Sequence, residues 1–172
     1  MRLQGRRVIV LAEELYEDLE LWYPALRLRE EGAEVAIIGS GSANTYTGKH
    51  GYPVEVATSA DQVSAADFDA VIIPGGYAPD RLRRYPAVLK IVREMFHQGK
   101  VVAAICHAGW VPISAGIVRG KRLTSVGAIR DDLVNAGGLW EDAEVVVAGN
   151  LITSRRPEDL PAFCRAIIDA MA

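Results

Sequence analysis

The chain is poor in the residues that staple small secreted or metal-bound folds together. Its 172 residues include two cysteines, Cys106 and Cys164, far apart in sequence. That count argues against a disulfide framework, and scarce thiols fit a reducing, cytoplasmic compartment. The three histidines, His50, His97 and His107, show none of the paired spacing of a zinc site, so no metal and no cofactor is expected. No apolar run approaches the roughly 20 residues of a membrane span. Positive charge is not in excess either. Nineteen Lys and Arg stand against 22 Asp and Glu, a net −3, which leaves no basic footprint for nucleic acid. The opening stretch MRLQGRRVIVLAEE is basic and then apolar, but soon meets acidic residues. It reads as a first strand rather than a signal peptide. Repeats, linkers and low-complexity segments are absent, and a single domain over 1–172 is expected.

What is present is an alternation of strand and helix. RVIVLA (7–12) is a short apolar run, so a buried strand. DLELWYPALRLREEG follows as a helix with Leu19, Trp22 and Leu26 on one face, Pro24 near its first turns and Gly32 at its end. EVAIIG is a second strand, and SGSANTYTGKHGYPVEVAT reads as a hairpin excursion. DAVIIPGG is a buried strand running into a Pro-Gly-Gly loop. PAVLKIVREMFHQGK is an amphipathic helix ending at Gly99. VVAAIC is the next buried strand, and WVPISAGIV begins a helix. AEVVVAGNLITS reads as a hairpin about Gly149, and the segment from Pro157 onward as a closing helix. This order predicts an α/β fold, a mostly parallel sheet with helices on both faces and small β-hairpins.

In such sheets, ligands bind beyond the carboxyl ends of the strands. Three polar segments fall there: EELYED, PGGYAPD and Cys106-His107. The run AICHAG has small residues around its Cys-His pair, the pattern of a nucleophile elbow. An elbow would expose the thiol at a helix N-terminus, where the dipole favours a thiolate. The alternative is a buried structural cysteine, the usual fate of an unpaired one. His107 reads either as the adjacent base or as a solvent-facing or capping histidine. Gly75-Gly76 reads either as a plain turn or as a backbone approach that forms an oxyanion hole. Glu17 and Asp80 each stand where an acid also complements a helix dipole. His50 lies in a hairpin and His97 late in a helix. Cys164 shares an apolar face with Leu160, Ile167 and Ile168, a core position. Trp22, Trp110 and Trp140 read as core or interface aromatics.

These segments together resemble the PfpI intracellular-protease family, within the wider superfamily of the Parkinsonism-associated deglycase and the class I glutamine amidotransferase-like fold. The resemblance covers nearly the whole chain, through LYEDLELWYPALRLREEGAEV, TGKHGYPVEV, IIPGGYAPDRLR, AICHAGW, ISAGIVRGKRLTS and IRDDLVNAGGLWEDAEVVVAGNLITSRRPEDL. It implies a flavodoxin-like three-layer sandwich with Cys106 as nucleophile. Glu17 matches the family acid that is protonated and hydrogen-bonds the sulfur, and His107 the adjacent histidine. Asp80 matches the acid that reaches a neighbouring subunit's histidine, completing a Cys-His-acid triad. Gly75, Gly76 and the His107 backbone match the oxyanion hole. A homodimer or hexamer is the implied assembly. Two departures stand out: Ala108-Gly109 where relatives often read Gly-Pro, and Val126-Gly127-Ala128 where many read Tyr-Pro-Gly.

Glutamine amidotransferases on this fold use a later His-x-Glu pair, and no histidine follows His107, so that activity is excluded. Three functions are compatible with the residues. One is a glyoxalase III or deglycase-type enzyme, with Cys106 adding to a small aldehyde or glycated substrate. Another is a cysteine peptidase using Cys106, His107 and Asp80 across a subunit interface. The last is a redox sensor or chaperone whose Cys106 oxidises. The aldehyde reading is favoured, because thiolate addition needs neither metal nor nucleotide.

Overall fold

Three apolar strands form the centre of the molecule. The computed structural model describes residues 1–172. Strand β1 (Arg7–Ala12) leads to helix α1 (Asp18–Glu30) and strand β2 (Glu34–Gly39). The hairpin of β3 (Thr45–Thr47) and β4 (Pro53–Glu55) follows, then β5 (Thr58–Ser59) and β6 (Ala70–Ile73). Helices α2 (Ala78–Leu82) and α3 (Pro86–His97) precede β7 (Val101–Ile105) and α4 (Trp110–Ala115). Then come β8 (Arg122–Leu123), α5 (Arg130–Asn135), β9 (Leu139–Trp140), β10 (Val145–Ala148), β11 (Leu151–Ser154) and α6 (Leu160–Met171).

The main sheet has seven strands in the order β10-β11-β7-β6-β1-β2-β5. Every pairing in it is parallel except β10 with β11. Val8–Ala12, Ala70–Ile73 and Val101–Ile105 are buried throughout, as a sheet covered on both faces requires. From β1 the chain crosses to β2 on one side, and from β6 to β7 on the other. Right-handed crossovers in opposite directions put α1 and α3 on opposite faces. Helix α6 packs beside α1, and α4 beside α3. The point where the winding reverses lies between β1 and β6, and their carboxyl ends open a crevice there. This is the parallel α/β arrangement expected from the alternation of elements, and the flavodoxin-like sandwich that the family resemblance implied.

Helix α1 departs from its expected orientation. Leu19 and Leu26, taken from the sequence as part of its apolar face, are each 57% exposed. The buried face carries Glu20, Leu21, Pro24, Ala25 and Leu28 instead. The stripe is displaced by one residue, and the small Pro24 and Ala25 are the ones turned inward. A helix face that buries a glutamate is an unusual choice, explained below by what the glutamate meets.

Two loops at the crevice are stapled together. Tyr16 and Gly76 form an isolated antiparallel bridge. Glu17 N–H donates to the Gly75 carbonyl at 3.0 Å, and Tyr77 N–H to the Leu15 carbonyl at 2.9 Å. Only glycine fits at position 76: its φ is +80°, and a Cβ would lie 2.5 Å from Glu17 N and 2.6 Å from Leu15 O. Gly99 has a similar φ of +74° but open space around it. Gly76→Ala is therefore expected to cost about 2 kcal/mol or more, and Gly99→Ala only about 1 kcal/mol. Urea denaturation of the two variants checks this, and equal losses would remove the staple from the account.

Candidate active site

Cys106 follows β7 directly and has φ +65°, a left-handed conformation rarely adopted by a side-chain-bearing residue. Ile105 before it is extended, and Cys106–Gly109 form a short 3-10 turn that runs into α4. That sharp reversal brings the sulfur out of the sheet into the crevice, half-buried. Ala108 and Gly109 are buried under it, and a Cβ on Gly109 would press to 3.3 Å on Ile129 and Leu133. Strain of this kind commonly costs about 1–3 kcal/mol and persists where the surroundings impose it. Leu15, in the stapled loop opposite, is the other non-glycine residue at positive φ, +61°.

The acid beside the sulfur is Glu20, not Glu17. Glu17 is the N-cap of α1: its Oε2 accepts from Glu20 N–H at 3.0 Å, and its Oε1 stands 3.6 Å from His50 Nε2. That is the ordinary work of an acid at a helix start. Glu20, one turn further on, is fully buried and points at the elbow. Its Oε1 accepts from Gly75 N–H at 2.9 Å, and its Oε2, with no nitrogen or oxygen partner, is left to the Cys106 thiol. A Cβ on Gly75 would lie 2.5 Å from Glu20 Oε1 and 2.8 Å from Cys106 Cβ, so a bare backbone is needed between acid and thiol. Glu20 stands out only once the inward face of α1 is known. Glu20 is an acid inside the Leu21, Pro24, Leu28 stripe, where an uncompensated charge would be costly.

The oxyanion expectation changes in the same way. Gly75 N–H is committed to Glu20, whereas the backbone N–H groups of Gly76 and His107 act on the sulfur and favour its charged form. Those two amides, not three, face the reacting position. His107 Nδ1 lies 3.4 Å from Sγ, and the ring packs at 5.4 Å from that of Trp110. Trp110 is itself held by Asp132 at 2.8 Å and covered by the Arg83 guanidinium at 5.6 Å. Asp80 is elsewhere: it is exposed on α2 and paired with Arg84 at 2.5 Å, not with His107. Within one chain the Cys-His-acid triad is thus not assembled.

Burial governs the protonation of the site. It pushes the Cys106 thiol up to about 12, with the Glu20 carboxylate as second cause, against the Gly76 and His107 amides and Lys49. The helix dipole invoked from sequence does not prevail, since α4 has only six residues. Burial also raises Glu20, to about 8, helped by the nearby charge of Glu17. Glu20 therefore keeps its proton at neutral pH. A protonated carboxyl exerts no charge repulsion on the sulfur and supplies a donor to it. Burial, and next Lys49, depress His107, leaving it a neutral imidazole able to accept a proton. Glu17, Asp18 and His50 are the residues that could approach a metal, with ligand atoms within 4.8 Å of one another. Both Asp18 oxygens already accept backbone N–H groups, from His50 at 2.9 Å and Tyr52 at 3.0 Å. Cys164, as expected, is core, at 1% exposure. Trp22, Trp110 and Trp140 are half-buried at the edges of the packed clusters.

The fold is that of a known class. The model of the DJ-1/PfpI family matches residues 6–170, and the chain belongs to that family. It is 47% identical over 162 residues to Deglycase PfpI of Pyrococcus furiosus, covering 94% of this chain and 97% of that one. It is 42% identical over 163 residues to Protein/nucleic acid deglycase 2 of Escherichia coli, covering 94% and 95%. Among solved structures, a two-domain protein from Anabaena variabilis, with DJ-1/ThiJ/PfpI-like and ferritin-like domains, superposes with a TM-score of 0.93 at 42% identity. That match spans 95% of this chain and 49% of the larger one.

The raised acidity constant of Glu20 has a measurable consequence. Between the ordinary carboxylate value of 4.5 and about 8, the folded state holds a proton that the unfolded chain has released. Stability is therefore lost as pH rises through that window, by up to about 5 kcal/mol. Glu20→Gln keeps an acceptor for Gly75 and cannot ionise. Its unfolding free energy should stay flat from pH 5 to 8.5 while that of the wild type falls. Parallel slopes in urea titrations would mean that Glu20 does not titrate in this range.

Proposed function

We propose that the protein is a cysteine-dependent enzyme acting on reactive dicarbonyls or early glycation adducts, of glyoxalase III or deglycase type. The observation that carries the reading is the Cys106 sulfur at a strained elbow, facing two backbone N–H groups and a proton-holding carboxyl. The deglycase names of two relatives point the same way.

With methylglyoxal, the sulfur lone pair forms a bond to the aldehyde carbon. The C=O pair moves to oxygen, which takes the Glu20 proton as the thiol proton passes from sulfur to the Glu20 carboxylate, giving a hemithioacetal and a carboxyl that is again protonated. The Gly76 and His107 amides stabilise charge on that oxygen as it develops. His107 removes the proton from the former aldehyde carbon, and reprotonation at the neighbouring carbon leaves a lactoyl thioester. Water then cleaves the C–S bond, releasing lactate and returning the thiol. The sum is methylglyoxal plus water to lactate, with no external oxidant or reductant.

A second reading rests on the exposure of Asp80. In a homodimer or hexamer it would exchange its Arg84 partner for a neighbour's His107, giving a cysteine peptidase. Lactate formation from methylglyoxal, without glutathione or metal, separates the two. Wild type should form lactate, and Cys106→Ser should lose more than about a hundredfold of that rate. Equal rates would discard the aldehyde chemistry. Peptide cleavage without lactate would favour the triad.

A further inference from the structure

The turn between β3 and β4 is fastened over the start of α1. Lys49 N–H donates to the Tyr16 carbonyl at 2.8 Å, and Leu15 N–H to the Thr47 carbonyl at 2.9 Å. Asp18 accepts the N–H of His50 on Oδ2 at 2.9 Å and that of Tyr52 on Oδ1 at 3.0 Å. Those bonds fix the plane of the carboxylate and leave a lone pair on each oxygen. Gly48 lets the turn sit this close, since a Cβ there would lie 2.3 Å from Asp18 Oδ1. The turn thus carries the His50 ring to the first residues of α1, where it meets Glu17.

Three metal-ligating groups converge there. One oxygen of Glu17, one of Asp18 and one ring nitrogen of His50 all lie within 4.8 Å of one another. The Glu17 side chain is 5% exposed, and its two oxygens are unequally used. Oε2 accepts from Glu20 N–H, while Oε1 accepts no hydrogen bond and faces His50 Nε2 at 3.6 Å. That is too long for a hydrogen bond. It matches the separation of two ligands on one tetrahedral ion, about 3.3–3.6 Å for bonds of roughly 2.0–2.2 Å. No lysine or arginine forms an ion pair with Glu17 or Asp18. A buried carboxylate with a free oxygen and no cation is costly. A divalent ion would balance the two negative charges, and imidazole binds it uncharged.

We propose that Glu17, Asp18 and His50 form a binding site for a divalent transition ion of the zinc class, which clips the β3–β4 turn to α1. Imidazole together with carboxylates suits Zn2+, Co2+ or Ni2+, whereas Mg2+ and Ca2+ are held by oxygen alone. Three ligands from the chain leave a position for water, on the side where His50 is 67% exposed. The backbone N–H groups of His50 and Tyr52 form the outer shell that orients a metal-bound carboxylate. Sequence spacing hides the set, because one ligand comes from a turn distant from the other two. The site stands whether or not Cys106 acts on aldehydes.

Zinc titration of Cys106→Ser protein tests this, since that variant removes the accessible thiol as a competing ligand. Calorimetry should report one equivalent of Zn2+, bound at least about tenfold more weakly when His50→Gln is added. His50→Gln alters only an exposed side chain, because the bond from His50 to Asp18 is made by the backbone. Equal melting temperatures without metal establish that both proteins are folded. Saturating Zn2+ should then raise the melting temperature of Cys106→Ser and leave that of the double variant in place. Zn2+ should also shift the ring resonances of His50 in NMR spectra and leave those of His97 unmoved. Absence of binding, or equal affinity with and without the His50 imidazole, overturns the proposal. So does displacement of Zn2+ by an equal concentration of Mg2+, which would mean that no nitrogen holds the ion.

Discussion

A carboxyl group and a thiol share a dry space at the carboxyl end of β7, and the rest of the crevice is arranged around keeping them together. Neither group is comfortable there as an ion, because burial opposes both charges and each charge opposes the other. The stable solution leaves a proton with the pair. Gly75 provides the clearance, and the bridge from Tyr16 to Gly76 sets the distance between the loops. The cap at Glu17 fixes which residue of α1 faces the sulfur. Each of these devices is local, yet each acts on the same proton.

Much of the frame was legible in the sequence because buried parallel strands are written as uninterrupted apolar runs. RVIVLA, AVII and VVAAI need no partner to be recognised, and the segments between them are too long for hairpins. Cys106 was legible for a related reason: a polar pair flanked by small residues breaks such a run. Glu20 was not, because it lies three residues from Glu17 and both fall near a helix start. Propensity favours the residue at the boundary as the functional acid, whereas packing decides which one turns inward. Leu19 and Leu26 misled in the same manner, as apolar residues left on the outer face of α1. The proton balance was also beyond the sequence. A helix start suggests a lowered thiol pKa, but the depth of burial that reverses it is a property of the folded crevice.

The site draws its members from four separated segments, as sites at a winding reversal do. β7 supplies the sulfur, α1 the acid, the loop after β6 one amide, and the β3–β4 turn Lys49, whose positive charge favours the ionised sulfur. The first three are fixed by backbone contacts and glycine clearance.

Glu17, displaced from the sulfur, acquires a different significance. A capping residue is ordinarily a matter of helix stability alone. Here its charge stands one turn from a second carboxyl and helps decide how firmly that carboxyl holds hydrogen. The first turn of α1 thus behaves as a tuning element: how the helix begins sets the acidity available to a thiol at the end of a distant strand.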